Sequence, residues 1–429
     1  MSGAADIVKD LRVAADREAS FHPGWGRTPE YTGWRDEQLA WKRTCTLGDW
    51  SFLWDIELSG PDALQLLSDS AINSMASFDI GQAKHLVQCN DDGKVIAEGV
   101  LLRLGEERFA TQSTTAFYTA FLAASGRYDV QWRDRRSFQY QVGGPSSLAV
   151  LEDLVGASLR DTGFMRFSPV TIAGHEVLAL RQGMSGEIGF ELHGEDGADE
   201  VYAAVLEAGR EHGMRRLGSR TAMVNHLEAC FPTGGWHYLA DVFTTDGYGR
   251  FIFENFDLQG IVRRITGSFD SADVRDWFRS PVELGWGRSI KLDHEFRGRA
   301  ALEAELAAPK RTVVTLEFSP DDVARVNDSL LEDGPVHDPI EIPLPQRYMV
   351  WADQVLRDGE LVGISTAPGY SMHFRRVLAL AYVDVALSEP GTEVTVLWGN
   401  PGTVQTEIRA IVQRAPYKQD NRRADLTAV

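Results

Sequence analysis

The chain contains little cysteine and no long apolar run. Its three cysteines, Cys45, Cys89 and Cys230, lie far apart and form no Cys-x-x-Cys pair. Residues 1–36 show no signal-peptide pattern, so we expect a protein of the reduced cytoplasm. No apolar stretch approaches the roughly 20 residues that a membrane helix needs. We therefore expect no membrane partner.

Positive charge is also scarce. The chain has 43 Lys and Arg residues against 62 Asp and Glu residues, which gives a formal net charge of −19 at pH 7. Nucleic-acid recognition needs a basic stripe, so we expect no nucleic-acid partner. An anionic small molecule is not excluded, because it needs only a local basic pocket. The ten histidines lack His-x-His and His-x-x-x-His spacing, which predicts that there is no metal site.

The most informative segment is residues 181–192, where a Ser-Gly-Glu-x-Gly turn leads into a strand pattern. Side chains four residues apart in a strand point to the same face. Glu187 and Glu191 are therefore expected to face one cavity if the strand begins at Glu187. Gly186 and Gly189 would let the backbone approach a flat ligand closely. This pattern suggests a pterin or purine site, and the alternative is a tight turn with solvated acids.

The pattern elsewhere predicts an α+β chain. At 429 residues and 43% hydrophobic content, two or three domains are expected. Apolar residues at helical spacing predict an amphipathic helix over residues 199–213, capped by Gly213. Asn-Asp-Asp-Gly at residues 90–93 predicts a hairpin turn between two strands. After Asp293, short and evenly spaced strand patterns predict a small antiparallel barrel.

Several segments, in the order in which they occur, resemble landmarks of one family. The segment at 181–192 is similar to the Tyr-x-Gly-Glu-x-Gly-hydrophobic-Glu signature of folate-binding aminomethyltransferases, the T-protein of glycine cleavage and its relatives. Residues 281–287 (Pro-Val-Glu-Leu-Gly-Trp-Gly) and 296–302 (Phe-Arg-Gly-Arg-Ala-Ala-Leu) resemble two further landmarks. The resemblance runs from about residue 30 to the C-terminus.

This resemblance implies a three-domain ring of the glycine cleavage T-protein type, with folate in a central channel. Residues 1–55 and 140–280 would form a discontinuous folate-binding core domain. Residues 56–139 would form a second α+β domain that lines the channel. Residues 281–429 would form a C-terminal domain built on the antiparallel β-barrel.

The chain resembles one branch of the family more than the others. Residues 415–423 (Ala-Pro-Tyr-Lys-Gln-Asp-Asn-Arg-Arg), with residues 31–37 and 60–64, are similar to bacterial tetrahydrofolate-dependent O-demethylases of the vanillate and syringate type. The resemblance implies transfer of a methyl group from a methoxylated aromatic compound to N5 of tetrahydrofolate, which gives a phenol and 5-methyltetrahydrofolate. Such a displacement needs in-line positioning and a donor at the departing phenolate oxygen. The implied role is catabolism of lignin-derived aromatic compounds.

The same resemblance implies the site residues. Tyr238 is expected to stabilise the leaving phenolate, with Tyr248 as the second choice. The residues expected to line the tetrahydrofolate channel are Gln88, Glu187, Glu191 and Trp286, and those expected at the substrate pocket are Tyr31, Trp50 and Leu53.

The chain departs from the glycine-cleavage pattern at two places. T-proteins carry an Asp-Asp pair where this chain has Ala97-Glu98, and an arginine where it has His226. Both departures argue against aminomethyl transfer with ammonia release. We therefore expect no lipoyl carrier protein as a partner.

The chain also departs from the vanillate-type demethylases. Those enzymes carry histidines where this chain has Phe52-Leu53, and they place an arginine near the positions of Gln112-Ser113. An anionic benzoate would lack its expected clamp here, unless Arg103 or another residue replaces it. We therefore expect a less charged methoxyarene, or one held in another orientation.

Three alternatives stay open from the sequence. A sulfonium demethylase of the dimethylsulfoniopropionate type would use aromatic faces for cation–π contact, which Trp50, Phe52 and Trp54 would supply. An aminomethyltransferase of the same fold is the second. The third is a non-catalytic folate-binding protein, although residues 182–187 lack the cysteine of that group's signature.

Overall fold

The structure is a computed structural model that describes residues 4–12, 28–256, 264–345 and 349–428. Its helices α1 to α10 are Ala4–Leu11, Trp34–Arg43, Ala63–Ser70, Thr114–Ala123, Ser147–Val155, Ala198–Ala208, Ser219–Ala229, Tyr248–Asn255, Arg299–Ala307 and Pro320–Asp328. Its strands β1 to β19 are Thr46–Asp49, Asp55–Ser59, Ala83–Cys89, Val95–Arg103, Arg108–Gln112, Gln131–Asp134, Phe138–Gly143, Phe167–Ile172, His175–Arg181, Gly189–Gly194, Arg215–Arg216, Arg264–Thr266, Arg311–Phe318, Met349–Trp351, Asp353–Arg357, Glu360–Ser371, Arg376–Asp384, Glu393–Trp398 and Thr406–Gln413. None of the described helices is long and apolar enough to cross a membrane.

A six-stranded sheet, in the order β11-β1-β7-β10-β9-β8, forms the first unit. All its pairings are antiparallel except that of β1 with β11. Helices α5 and α6 cover one face, where Leu148, Phe190, Val201 and Val205 share a buried apolar core. The predicted amphipathic helix is confirmed as α6, although it ends at Ala208 rather than near residue 213.

An antiparallel five-stranded sheet, in the order β3-β4-β5-β2-β6, forms the second unit. The predicted turn at residues 90–93 joins β3 to β4. Asn90 accepts hydrogen bonds from the backbone N–H groups of Asp92 and Lys94, and Gly93 takes a positive φ of 72°. These local bonds fix the hairpin because an Asx side chain replaces a missing backbone partner in the turn.

A closed antiparallel barrel, in the order β13-β17-β16-β15-β18-β19, forms the third unit and confirms the predicted C-terminal barrel. Its apolar interior includes Leu316, Val355, Ala379 and Ile408, all of which are fully buried. Closure pairs the first strand with the last and so leaves no free sheet edge. A short parallel pair, β12 with β14, lies outside the barrel.

The α+β class is confirmed by these units. The strands of the five-stranded sheet lie within residues 55–134, close to the predicted second domain at 56–139. The predicted domain boundaries themselves stay a prediction.

Candidate functional site

A cavity of about 920 Å³ lies where the three units meet. The six-stranded sheet, the five-stranded sheet, the segment 284–291 and the C-terminal segment 415–423 all contribute to its walls. Its volume is near the upper end of the range of roughly 300–1,000 Å³ for small-molecule sites. The cavity is therefore large enough for a sizeable small molecule.

One wall is polar and is built by strand register. Gln141 on β7 pairs with Glu191 on β10, and Gln139 pairs with His193. Alternate residues of paired strands share a face, so these side chains form one layer. Gln182 donates from Nε2 to Glu191 Oε1 at 3.0 Å. Gln139, Gln141, Gln182 and Glu191 all line the cavity.

This polar wall has unused hydrogen-bonding atoms. Within the described part of the chain, Gln139 Oε1, Gln141 Nε2 and Gln182 Oε1 are buried and accept or donate no hydrogen bond. Glu191 Oε2 lies 3.3 Å from His193 Nε2, but without the alignment of a hydrogen bond. Buried polar atoms are costly without partners, so the wall is prepared for a ligand with both donors and acceptors.

A second wall carries an imidazole–carboxylate pair. His85 Nε2 lies 3.0 Å from Glu98 Oε2. The two residues are diagonal neighbours across β3 and β4, because Glu98 pairs with Val87. The Trp286 ring meets the His85 ring edge to face, with centroids 4.8 Å apart. This wall therefore presents proton-transfer groups beside an aromatic surface.

A third wall is aromatic and nearly uncharged. Trp50 stacks on His226, with ring centroids 5.4 Å apart and an interplanar angle of 11°. Phe231 packs beside the same imidazole at 5.2 Å. Burial lowers the pKa of His226 to about 3, so its ring is neutral at physiological pH. This wall fits an uncharged aromatic ring.

Basic side chains contribute to the cavity from three directions, the first of which is Lys84 on β3. Arg288 and Lys291 are exposed residues of the segment 284–291. Arg422 and Arg423 come from the C-terminal segment, where Arg422 also binds Asp420. These residues provide local positive charge on a protein whose net charge is strongly negative.

Four of the predicted site residues line this cavity, namely Trp50, Leu53, Glu191 and Trp286. They come from three separate parts of the chain. The structure therefore brings together predicted folate-binding and predicted substrate-binding residues in one place.

Glu187 lies elsewhere. Strand β10 begins at Gly189 rather than at Glu187, so Glu187 and Glu191 do not share a strand face. Glu187 instead accepts hydrogen bonds from Lys418 Nζ at 2.6 Å and from Asn421 Nδ2 at 2.8 Å. Lys418 also donates to the Ser185 carbonyl at 2.7 Å. Glu187 therefore fastens the C-terminal segment to the signature turn.

Gln88 and Tyr31 also lie outside the cavity lining. Gln88 is fully buried and donates to Ser70 Oγ at 2.9 Å, inside the second unit. The Tyr31 ring is covered by the Arg216 guanidinium, 3.9 Å from the ring centroid.

The two candidate tyrosines are buried behind the walls. Tyr238 is 1% exposed and packs against Trp286, with ring centroids 6.3 Å apart. Tyr248 is fully buried against Tyr118. Neither tyrosine is among the residues that line the cavity.

Several residues of the cavity lining were not predicted from the sequence. Gln139 and Gln141 are two residues apart in a strand, a spacing that places both on one face. His85, three residues before Gln88 in the predicted hairpin, was also overlooked. Gln182 and the C-terminal arginines lie in segments that carry the resemblance, but no spacing rule places their side chains in the cavity.

Metal ligands do not cluster in the part of the chain that the structure describes. No group of three or more His, Cys, Asp or Glu side chains there has an arrangement suited to a metal ion.

Comparisons with known proteins identify the family. A model described as the GCVT N-terminal domain matches residues 12–243, and one described as the glycine cleavage T-protein C-terminal barrel domain matches residues 339–417. The chain is 35% identical to the sesamin methylene transferase of a Sinomonas species, over 93% of this chain and 92% of the relative. It is 34% identical to the syringate O-demethylase of a Sphingobium species, over 91% and 90%.

More distant relatives are named for aminomethyl transfer. The aminomethyltransferase of Streptomyces avermitilis is 28% identical over 86% of each chain. The crystal structure of the glycine cleavage aminomethyltransferase T from Bartonella henselae matches with a TM-score of 0.68 at 19% identity, over 97% of each chain. This structural match confirms the predicted T-protein fold.

Proposed function

Since this chain belongs to the glycine cleavage T-protein family, we propose that it transfers a methyl group from a methoxylated aromatic compound to tetrahydrofolate. The chain is a one-carbon transferase with tetrahydrofolate as acceptor, and the donor is the proposed part. The observation that carries the proposal is one cavity with a polar wall of unpartnered amide atoms and an aromatic wall without charge.

The names of the relatives support the donor class. Sesamin and syringate are oxygenated aromatic compounds, and the two relatives named for them share 35% and 34% identity with this chain. The aminomethyltransferase shares 28%. These sequence identities favour an aromatic ether over a glycine-derived compound as the donor.

The polar wall fits the pterin of tetrahydrofolate. A reduced pterin presents N–H donors and a carbonyl acceptor along its edge. Gln139 Oε1 and Gln182 Oε1 would accept from the donors, and Gln141 Nε2 would donate to the acceptor. The Glu191 carboxylate adds a charged acceptor. When bound, tetrahydrofolate supplies the nitrogen N5 that receives the carbon.

The aromatic wall fits the methyl donor. Trp50 and Phe231 offer flat apolar surfaces to an aryl ring, and Leu53 adds an aliphatic contact. The exposed Arg288 and Lys291 would serve the carboxylates at the far end of folate. The wall formed by Trp50, His226 and Phe231 carries no cation, which agrees with a weakly charged methoxyarene.

Methyl transfer to N5 also requires the transfer of a proton. The N5–C bond forms as the C–O bond breaks, and the amine proton must finish on the phenolate oxygen. Glu98 and His85 are paired at 3.0 Å on the cavity wall. We assign them a relay of this proton: Glu98 accepts it and passes it to His85 Nε2 across their contact, and His85 releases its other ring proton, from Nδ1, to the oxygen. The role predicted for Tyr238 stays a prediction, since its side chain is buried outside the cavity lining.

A sulfonium donor is the weaker alternative. Of Trp50, Phe52 and Trp54, the cavity is lined by Trp50 alone. Trp54 packs against Phe256 instead, with ring centroids 5.4 Å apart. These three rings therefore do not form the aromatic cage that cation–π binding would use.

A donor panel tests the proposal. The enzyme is incubated anaerobically with tetrahydrofolate and, separately, methoxybenzoates, neutral methoxyphenols, methylenedioxybenzenes, dimethylsulfoniopropionate and a lipoyl-bound aminomethyl donor. The folate product is then identified by mass. The proposal predicts 5-methyltetrahydrofolate with a methoxyarene. A 5,10-methylene product from a methylenedioxybenzene alone would change the assignment to methylene transfer, and from the lipoyl donor alone to aminomethyl transfer.

A further inference from the structure

His226 is a buried histidine on the cavity wall, at the end of α7. It is 1% exposed and stacks on Trp50. Its Nδ1 atom lies 3.1 Å from Thr233 Oγ1. Its other ring nitrogen, Nε2, is buried and has no hydrogen-bond partner among the residues that the structure describes. One nitrogen is thus held by the protein, and the other is a buried polar atom without a partner in a residue that lines the cavity.

The hydrogen bonds of Thr233 fix the tautomer of His226. Thr233 Oγ1 also lies 3.1 Å from the Phe231 carbonyl oxygen, which only accepts, so the hydroxyl hydrogen is donated there. A hydroxyl has one hydrogen. Thr233 Oγ1 must therefore accept from His226, and the proton of the neutral imidazole is on Nδ1. Nε2 carries the lone pair and is a hydrogen-bond acceptor.

The wall around Nε2 selects the kind of group that it binds. Burial keeps the His226 ring neutral, so its lone pair attracts an O–H or N–H donor and disfavours an anionic oxygen. Trp50 holds the plane of the ring parallel to its own, which limits the directions from which a donor can approach. The aromatic surroundings suit a donor group that is carried on an aryl ring.

We propose that His226 Nε2 accepts a hydrogen bond from a free hydroxyl group on the methoxyarene, and so makes His226 a specificity residue for methoxyphenols over fully etherified rings. This inference rests on the proposed function and deepens it. Loss of a hydrogen bond to a site built for it typically reduces kcat/KM by about 10- to 100-fold. The enzyme is expected to prefer a methoxyphenol by that factor.

Two matched donors test the inference. They are 2-methoxyphenol and 1,2-dimethoxybenzene, which differ by one methyl group on the second oxygen. The ratio of their kcat/KM values is measured for the wild type, His226→Phe and His226→Gln. Phenylalanine keeps the stacking ring and removes the acceptor, so the ratio is expected to fall to about 1. Glutamine keeps an acceptor, so part of the preference should return. His212→Phe changes a histidine that binds Asp153 away from the cavity and should leave the ratio unaltered.

Binding measurements separate this inference from the proposed function. Calorimetry gives the affinities of the two compounds for the enzyme without folate, and the affinity for tetrahydrofolate is measured separately. A preference for 2-methoxyphenol that His226→Phe removes would support the inference even if no methoxyarene gave a folate product. A wild-type ratio near 1, or a ratio that His226→Phe leaves intact, would overturn it. A loss of folate affinity without a change in the ratio would also overturn it, by assigning Nε2 to the pterin.

Discussion

His85 Nε2 lies 3.0 Å from Glu98 Oε2, and both side chains line the central cavity. Glu98 is 7% exposed, and its backbone N–H is bound by Thr114 Oγ1 at 2.9 Å. The backbone of Glu98 is therefore fixed on an interior strand of the second unit, and the His85 contact orients its carboxylate. An acid–base pair so positioned is well suited to move the proton that methyl transfer releases.

Glu98→Gln is expected to lower kcat for methyl transfer by about 10²-fold, because an amide accepts no proton. Folate affinity should change little, since the pterin is assigned to the polar wall. Steady-state kinetics with a methoxyarene and a separate folate titration give the two quantities. Glu57→Gln is the matched control on the same sheet. Glu57 binds Arg108 and lies outside the cavity lining, so kcat should match the wild type. An unchanged kcat in Glu98→Gln would remove the pair from the mechanism.

Glu191 and Glu187 are expected to behave differently. Glu191→Gln should weaken tetrahydrofolate binding by about 1–3 kcal/mol, the usual cost of a lost charge-assisted hydrogen bond. Glu187→Gln should leave the affinity of the folded protein near that of the wild type, because Glu187 contacts Lys418 rather than the cavity. Quenching of tryptophan fluorescence by tetrahydrofolate measures both. Equal losses in the two variants would contradict these assignments.

The ion pair of Lys418 with Glu187 is expected to stabilise the fold. The Lys418 side chain is 3% exposed and that of Glu187 is 12% exposed. Removing one partner of a buried pair leaves an uncompensated charge, at a cost of about 3–5 kcal/mol. Lys418→Met should therefore clearly lower the denaturant concentration at which half of the protein is unfolded. Arg275→Met breaks an exposed pair with Asp273 and should leave the midpoint close to the wild type. Similar midpoints for both variants would show that the C-terminal segment is not anchored in this way.

Asp353 is expected to make stability depend on pH. Burial raises its pKa from 3.8 to about 7, and its carboxylate accepts from the Ser268 backbone N–H. Between these two pH values the folded state holds a proton that the unfolded state has released. The contribution of Asp353 to the free energy of unfolding is therefore complete below pH 3.8. It falls as the pH rises through 7, by up to about 4 kcal/mol.

Asp353→Asn should remove this pH dependence of the free energy of unfolding. Unfolding midpoints of the wild type and the variant are compared across pH 4 to 8. The wild type should lose stability relative to the variant as pH rises. Parallel curves would mean that the folded-state pKa of Asp353 is ordinary.

Local features of the fold were predictable from the sequence. The hairpin at residues 90–93 depends on turn chemistry within four residues, and α6 depends on apolar spacing within eleven. The barrel strands were predictable one by one from apolar segments next to turn residues such as Asp358-Gly359, although β16 is twelve residues long and its pairing contains a register shift. In each case the determining interactions lie close together in the chain.

The site was less predictable because distant residues determine it. Gln141 stands beside Glu191 only because β7 pairs with β10. Glu187 lies in the expected signature, but its partner Lys418 is 231 residues further along the chain. No spacing rule identifies such a partner. The His226 tautomer likewise depends on Thr233, which lies beyond the end of its helix.

Transfer of an isotopic label tests the central claim most directly. The enzyme is incubated anaerobically with tetrahydrofolate and 2-methoxyphenol labelled with ¹³C in the methoxy carbon, and both products are followed by mass spectrometry. We predict that the label appears in 5-methyltetrahydrofolate, together with an equal amount of unlabelled catechol. If the folate stays unlabelled with every methoxyarene of the panel while tetrahydrofolate binds normally, the enzyme does not act on methoxylated aromatic compounds.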